Sequence, residues 1–222
     1  DSIADATVIS RMYAVKSFFT FAHKIGYLLF NPAAVIKLNR PQKLIEEKVL
    51  TESQLKSILR EMEKQSPDKW LIIYLLYASG ARISEFLALR VKDFHDYFVF
   101  RAENTKSDKT RRVSIPEWLV EEIRSHIAGK DPDDWIFSHE WGGKIRPYTR
   151  QAVNTFLKKF CQQHDFPHTT PHMLRHSVAT HALQAGMTIQ EVSYKLGHAS
   201  VDVTAKIYDH TDKSGAFRSG LL

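Results

Sequence analysis

Residues 170–176, with the sequence Thr-Pro-His-Met-Leu-Arg-His, form the pattern around which this chain is organised. The threonine can cap a helix, and the proline suits the first turn, where its missing N–H costs nothing. His172, Arg175 and His176 then stand at i, i+3 and i+4 on one face of the helix start. Free N–H groups and the helix dipole favour an anion there. The stretch predicts either a phosphate site or, more plainly, a histidine-rich surface turn.

The overall composition favours a polyanionic partner, most simply nucleic acid. The 222 residues carry a formal net charge of +6, before 11 histidines are counted, and the pI is about 9.3. A basic protein without such a partner remains the alternative. The single cysteine, Cys161, excludes an internal disulfide and suits a reducing compartment, so we expect a cytoplasmic protein. No apolar run reaches membrane-spanning length, and no membrane partner is expected.

Two parts are expected along the chain, residues 1–42 and residues 43–222. In the first part, residues 7–25 predict a helix because apolar side chains, Val15 among them, recur near the 3.6-residue period. One or two helices bury too little surface to fold alone, so we expect this segment to end a domain that begins upstream. Polar residues 38–49 predict a linker. Cationic side chains that could contact DNA phosphates in this region are Arg11, Lys16 and Lys43.

The second part is predicted to be mainly α with a small antiparallel β-sheet, an α+β fold. Capping signals and apolar periodicity predict helices over residues 51–63, 70–77, 117–127, 149–163, 171–185 and 189–196. Residues 97–101 and 112–115 are rich in β-formers and predict a hairpin, with Lys106 and Lys109 at its tip. Residues 142–144, Gly-Gly-Lys, predict a flexible basic loop. Arg146 and Arg150 follow, and a helix there could lie on or in a major groove of DNA.

Two glycine-containing patterns and one tyrosine add further candidate catalytic residues. Gly80 permits a tight break, Arg82 leads the next helix, and Glu85 can orient Arg82 or form an ordinary i,i+3 ion pair. Gly197 ends the last of those helices, so His198 is held by a helix C-cap. Tyr208 lies on a further predicted helix.

In chain order these motifs resemble the catalytic motifs of the tyrosine recombinases, the phage integrase and Xer group. The resemblance rests on residues 80–85, the hairpin Lys106, and residues 172–176, 196–198 and 207–210. It covers about residues 50–212, and the leading segment resembles the end of the family's N-terminal core-binding domain. The resemblance implies the catalytic-domain fold of that family, double-stranded DNA as substrate and a homotetramer on two recombination sites. It implies no metal and no small-molecule cofactor.

The residue types suit attack on a phosphodiester. Two guanidiniums can each make paired hydrogen bonds to non-bridging oxygens, so Arg82 and Arg175 are assigned as a clamp. Tyr208 is assigned as the nucleophile, and His198 or His172 as the group that accepts its proton or donates to the phosphate.

Further roles follow from the resemblance. Lys106 is the general acid that protonates the leaving 5′-oxygen. Glu85 and His176 contact the catalytic side chains rather than the phosphate. The product would be a 3′-phosphotyrosyl bond with a free 5′-hydroxyl. Since that bond keeps the energy of the phosphodiester, strands can be rejoined without ATP or metal.

Several alternatives remain open on sequence grounds. Tyr208 follows His198 by ten residues, whereas family members usually have nine, so Tyr194 is a rival nucleophile, although its short helix favours a core position. Lys109 is a rival to Lys106. A zinc site at His172 and His176 lacks the glutamate of the His-Glu-x-x-His pattern. The other functional classes are a type IB topoisomerase and a catalytically silent DNA-binding protein.

Overall fold

A computed structural model describes residues 5–38, 49–105 and 109–197. The chain divides into two compact units, Asp1–Glu46 and Glu47–Leu222, which are described separately. None of the helices in the described part of the chain is both long enough and apolar enough to cross a lipid bilayer.

The first unit is built on one long helix, α1 (Asp5–Lys24). The turns that follow it are tied back to the helix, since Lys16 Nζ donates to the carbonyl of Ile36 at 2.7 Å and Ala22 is buried. Many large apolar side chains of this unit remain exposed. Val15 is one of them, although the helix predicted from its spacing is confirmed. A single helix has too little surface to enclose its own apolar face.

The second unit confirms the mainly helical prediction, with α2 as its first helix. Thr51 accepts from the N–H of Gln54, and the Gln54 side chain accepts from Thr51 N–H, which completes the predicted capping box. Thr149 and Thr170 cap later helices in the predicted way. The helices are α2 (Glu52–Gln65), α3 (Pro67–Ser79), α4 (Ile83–Leu87), α5 (Glu117–Ile127), α6 (Arg150–Gln163), α7 (Pro171–Gln184) and α8 (Ile189–Leu196).

Two separate antiparallel hairpins accompany these helices in the described residues. The predicted one joins β1 (Tyr97–Phe100) to β2 (Arg111–Ser114). The second joins β3 (Ser138–Trp141) to β4 (Lys144–Pro147), so the loop predicted at residues 142–144 is a turn of Gly142 and Gly143, and the prediction that it includes Lys144 is wrong. Gly142 and Gly143 both have positive φ, 59° and 70°, which is the conformation that a two-residue hairpin turn requires.

The hydrophobic core is centred on α3, which packs against α2 and α7, while α7 also packs against α8. Nearly every apolar residue from Trp70 to Leu76 on α3 is buried. The ring of Phe86 on α4 stacks on Phe137 and meets Phe98 of β1 edge-on. Each such side chain contributes roughly 1.5–3 kcal/mol on burial. This core therefore fixes α4 and α7, which carry the candidate functional residues, on a rigid support.

Candidate active site

Gly80 ends α3 in a conformation that suits glycine, with φ 61°. A Cβ atom at this position would lie 2.8 Å from Leu196 Cδ2 and 3.1 Å from Val178 Cγ1, so the backbone approaches α8 and α7 closely. The carbonyl of Gly80 accepts a hydrogen bond of 2.7 Å from Nη1 of Arg175. The Gly-Ala-Arg motif therefore helps to position the arginine of a second motif that lies far away in the sequence.

Arg175 is a buried cation in the first turns of α7, only 5% exposed. Burying a guanidinium costs free energy unless strong partners compensate, and arginine is never neutral in proteins. A charge held at this depth by a backbone carbonyl is typical of a functional site.

Arg82 lies at the N-cap of α4, where its side chain stays 28% exposed. Its Nη1 donates to Oε1 of Glu85 at 2.8 Å and to the carbonyl of Gly197 at 3.3 Å. Glu85 is buried, so the predicted i,i+3 pair is not an ordinary surface ion pair. The pair holds Arg82 in place while part of its guanidinium can still reach a ligand.

The second oxygen of Glu85 contacts Arg111, a residue that none of the sequence motifs includes. Oε2 accepts from Nη2 of Arg111 at 2.7 Å, and the Arg111 guanidinium lies 4.5 Å from the centre of the Phe100 ring. Burial acts to raise the pKa of Glu85, but Arg111 and then Arg82 outweigh burial and hold the pKa below its ordinary value. Glu85 is therefore an anion shared by two cations.

The pairing register of the hairpin explains why Arg111 is buried. Phe100 pairs with Arg111 and Phe98 with Val113, so Arg111 lies on the strand face that the buried phenylalanines occupy. The strand that the sequence predicts begins at Arg112, one residue too late, so it does not include Arg111.

His172 and His176 contact each other through their Nε2 atoms at 2.8 Å, with the two rings nearly perpendicular. One ring must donate and the other accept, so the two Nε2 atoms share a single proton. Desolvation, and then the positive charges of Arg175 and Arg82, lower the pKa of His172. His172 thus lies within electrostatic reach of both arginines.

Four predicted residues, Lys43, Lys106, His198 and Tyr208, lie outside the described residues. The two described ends of the loop that contains Lys106 are fixed by Thr105, which is buried. Its hydroxyl lies 3.1 Å from the carbonyl of Ala102 and 3.2 Å from the carbonyl of Lys109, and it accepts from Lys109 N–H at 3.3 Å. Gly197 caps α8 with φ 68°, as predicted for the residue before His198.

The predicted DNA-contacting residues are mostly exposed. Arg11 lies on α1, Lys109 lies in the loop between β1 and β2, Arg146 lies on β4 and Arg150 opens α6. Lys16 differs, because its ammonium group is tied to the carbonyl of Ile36.

The described residues bear on two of the alternatives, Tyr194 as the nucleophile and a zinc site. Tyr194 is 64% exposed on α8, so the expected core position is wrong. Across residues 5–38, 49–105 and 109–197, no three His, Cys, Asp or Glu side chains cluster as a metal site would require.

Comparison with known proteins finds similarity to integrases and recombinases in each case. A family model described as the phage integrase family matches residues 48–214. The tyrosine recombinase XerD of Halalkalibacterium halodurans is 28% identical over 222 residues, which span 95% of this chain and 73% of the relative. The tyrosine recombinase XerC of a Roseiflexus species is 32% identical over 96% of this chain and 71% of its own length.

Among solved structures, the integrase of transposon Tn1549 in complex with transposon right-end DNA superposes with a TM-score of 0.75. The match covers 93% of this chain and 76% of that one, at 19% sequence identity. At that identity the likeness supports the fold alone.

Proposed function

Because this chain belongs to the phage integrase family and is a tyrosine-type site-specific recombinase, we propose that it cuts and rejoins double-stranded DNA through a covalent 3′-phosphotyrosyl intermediate. The observation that carries the proposal is the convergence of Arg82, Arg175 and His172. Two arginines held by Glu85 and by the Gly80 carbonyl lie close enough to lower the pKa of one imidazole. Such a site is preorganised for an anion with two bridging and two non-bridging oxygens.

Arg82 and Arg175 act as the phosphate clamp. Each guanidinium donates to non-bridging oxygens and stabilises the extra negative charge of the pentavalent transition state, an effect of about 3–4 kcal/mol per well-placed donor in comparable sites. The donors are already positioned before the reaction, since both arginines are fixed by protein partners.

Tyr208 is the nucleophile in this proposal. Its oxygen forms a bond to phosphorus while the bond from phosphorus to the 5′-oxygen breaks. The phenol proton passes to His198 or His172, because a phenol with a pKa of about 10 needs a base or a cationic site to ionise near neutral pH. Lys106 gives a proton to the departing 5′-oxygen. Attack by a 5′-hydroxyl on the phosphotyrosine then reverses each step.

The lowered pKa of His172 supports a neutral imidazole in this role. A neutral ring can accept a proton from Tyr208 or donate a hydrogen bond to a phosphate oxygen, whereas a cation can only donate. The Nε2 contact with His176 restricts which nitrogen of His172 carries the proton.

Strand exchange between two duplexes requires several active sites, so we propose a homotetramer on two recombination sites. Residues 1–42 belong in this proposal to a core-binding domain, and residues 43–222 to the catalytic domain. The basic residues proposed to contact DNA are Arg11, Lys16, Lys43, Lys109, Arg146 and Arg150. DNA as the partner is supported by the positive net charge and by the Tn1549 integrase, which was solved with transposon DNA.

The test uses a pool of DNA duplexes with a randomised core and a nick in one strand, which traps a cleaved end because the short fragment diffuses away. Protein bound covalently to DNA is recovered under denaturing conditions, and the attached DNA is sequenced. We expect an adduct with the native sequence and with Tyr194→Phe, and none with Tyr208→Phe. An adduct that survives Tyr208→Phe but is lost in Tyr194→Phe would move the nucleophile to α8.

The same recovered sequence separates the remaining functional classes. Cloned twice into one supercoiled plasmid, it gives deletion or inversion products if the protein exchanges strands. A topoisomerase would relax the plasmid without changing its connectivity, and a silent DNA-binding protein would yield no adduct.

A further inference from the structure

Arg111 carries a buried charge that the proposed reaction does not use. Its side chain is 4% exposed on β2, whereas that of Arg112, the next residue, is exposed. The Arg111 guanidinium lies over the Phe100 ring. A cation at this depth requires specific partners, and those partners indicate its role.

The first partner is Glu85, which joins Arg111 to the phosphate clamp. Nη2 of Arg111 donates to Oε2 of Glu85 at 2.7 Å, while Oε1 accepts from Nη1 of Arg82 at 2.8 Å. A carboxylate that is held at both oxygens cannot rotate freely. The direction in which the Arg82 guanidinium points therefore depends on Arg111.

The second partner is the C-terminal end of α8. Nε of Arg111 donates to the carbonyl of Lys195 at 3.4 Å, and Arg82 donates to the carbonyl of Gly197 at 3.3 Å. Two cations thus meet the negative end of the helix dipole. A Cβ atom at Gly197 would lie only 2.6 Å from Nη1 of Arg111, so the backbone lies directly against the guanidinium. The next residue is His198.

The alternative is that Arg111 and Glu85 form an ion pair that only stabilises the fold. The number of charges around Glu85 argues against this alternative. One cation is enough to neutralise Glu85, yet two share it. Nη1 of Arg111 is buried and has no hydrogen-bond partner in the part of the chain that the structure describes. A pair that served stability alone would gain from fewer buried charges and from satisfied donors.

We infer that Arg111 is a positioning residue of the active site. Through Glu85 it holds the Arg82 guanidinium in the orientation that meets the scissile phosphate. Through the end of α8 it fixes the turn that leads into His198. This inference rests on the proposed function, because it assigns Arg111 to the same phosphodiester chemistry.

The test compares Arg111→Met with a matched control, Arg112→Met, which removes the adjacent arginine from the exposed face of the same strand. We expect Arg111→Met to slow adduct formation about 100-fold at saturating protein, with duplex affinity changed less than about threefold. Arg111→Lys keeps the charge and one donor, so we expect an intermediate rate. We expect Arg112→Met to stay within about threefold of the native protein in both measurements.

A pH profile separates positioning from simple stabilisation. Among residues 5–38, 49–105 and 109–197, the charged groups that face Glu85 are Arg82 from its own helix and Arg111 from β2, while α8 presents backbone carbonyls. Without Arg111 the pKa of Glu85 rises, so the cleavage rate of Arg111→Met should show an additional decline in acid that the native protein lacks. Adding Glu85→Gln should remove that decline, because no carboxylate remains to protonate.

An NMR measurement tests the inference without any reaction. The signal of the Arg82 Nε–H group should shift in Arg111→Met and stay in place in Arg112→Met. If the native protein forms no adduct, the proposed function fails while this signal still tests the positioning. An unchanged Arg82 signal, or native cleavage rates in Arg111→Met, would overturn the inference. If Arg111→Met does not fold, Arg111→Lys takes its place in the rate and NMR measurements, with a smaller rate loss expected because the charge is kept.

Discussion

The carbonyl oxygen of Gly80 and the guanidinium of Arg175 are joined by a hydrogen bond of 2.7 Å, across 95 residues of sequence. The same glycine ends α3, and its missing side chain leaves room for Leu196 of α8 and Val178 of α7. One residue thus sets the approach of three helices and holds a cation at their junction. Its replacement should affect both folding and chemistry.

We expect Gly80→Ala to lower the free energy of unfolding by about 2–3 kcal/mol. The left-handed conformation costs a non-glycine residue about 1–2 kcal/mol, and the new methyl group meets Leu196 at 2.8 Å. Urea denaturation measures the loss. Gly129→Ala is the control, since it has φ 79° and no atom within 4 Å of its Cβ position, and it should show the backbone cost alone. Equal losses in the two variants would contradict the close approach at Gly80.

We expect Arg82→Ala and Arg175→Ala each to slow formation of the covalent adduct by about 100- to 1000-fold, because each removes transition-state donors. The measurement is the single-turnover rate on the nicked duplex at saturating protein. Arg60→Ala removes an exposed arginine from α2 and serves as the control for lost charge. Native rates in either clamp variant would show that the phosphate is held elsewhere.

Local signals account for most of the fold that the sequence predicted. The threonine caps at residues 51, 149, 170 and 188 act on backbone N–H groups within three residues, so they can be read without knowing the tertiary structure. The conformation of Gly80 and Gly197 also follows from local sequence. These signals place the candidate motifs at helix ends. The sequence therefore predicts the elements that carry Arg82 and Arg175.

The features that the sequence does not predict depend on contacts between residues that are far apart along the chain. Whether Arg111 is inside or outside the fold is decided by its pairing with Phe100 and by Glu85, 26 residues away. Tyr194 is exposed because other residues of its short helix, Val192 and Leu196, already fill the space against the core. The hairpin at residues 138–147 has few β-branched residues, and only its paired glycines indicated the turn.

Histidine titration should make the protein less stable in mild acid. Burial lowers the pKa of His126, His172 and His181 below the ordinary value of 6.5. Below about pH 6.5 the unfolded chain therefore binds more protons than the folded one, so stability present at higher pH is lost as pH falls.

Replacement of a single histidine should show how much that residue contributes to the loss of stability in acid. Nε2 of His181 contacts the carbonyl of Leu50 and Nδ1 contacts the hydroxyl of Tyr77, so a charged ring must lose its acceptor role toward that hydroxyl. We expect His181→Gln to flatten the dependence of unfolding free energy on pH between about 5 and 7. His95→Gln, at an exposed position, is the control and should keep the native slope. An identical slope in His181→Gln would assign the acid sensitivity to other groups.

The assignment of Lys106 as general acid predicts a dependence on the leaving group. An alcohol has a pKa near that of water, about 15.7, and needs a proton to depart, whereas a thiol with a pKa of about 8.5 leaves readily as an anion. Lys106→Ala should therefore cleave an ordinary duplex slowly and a duplex with sulfur in place of the bridging 5′-oxygen at nearly the native rate. Lys109→Ala is the matched control, since Lys109 also follows Thr105 in the same loop. If sulfur rescues Lys109→Ala and not Lys106→Ala, the proton comes from Lys109. If sulfur rescues neither slowed variant, the general acid lies outside this loop.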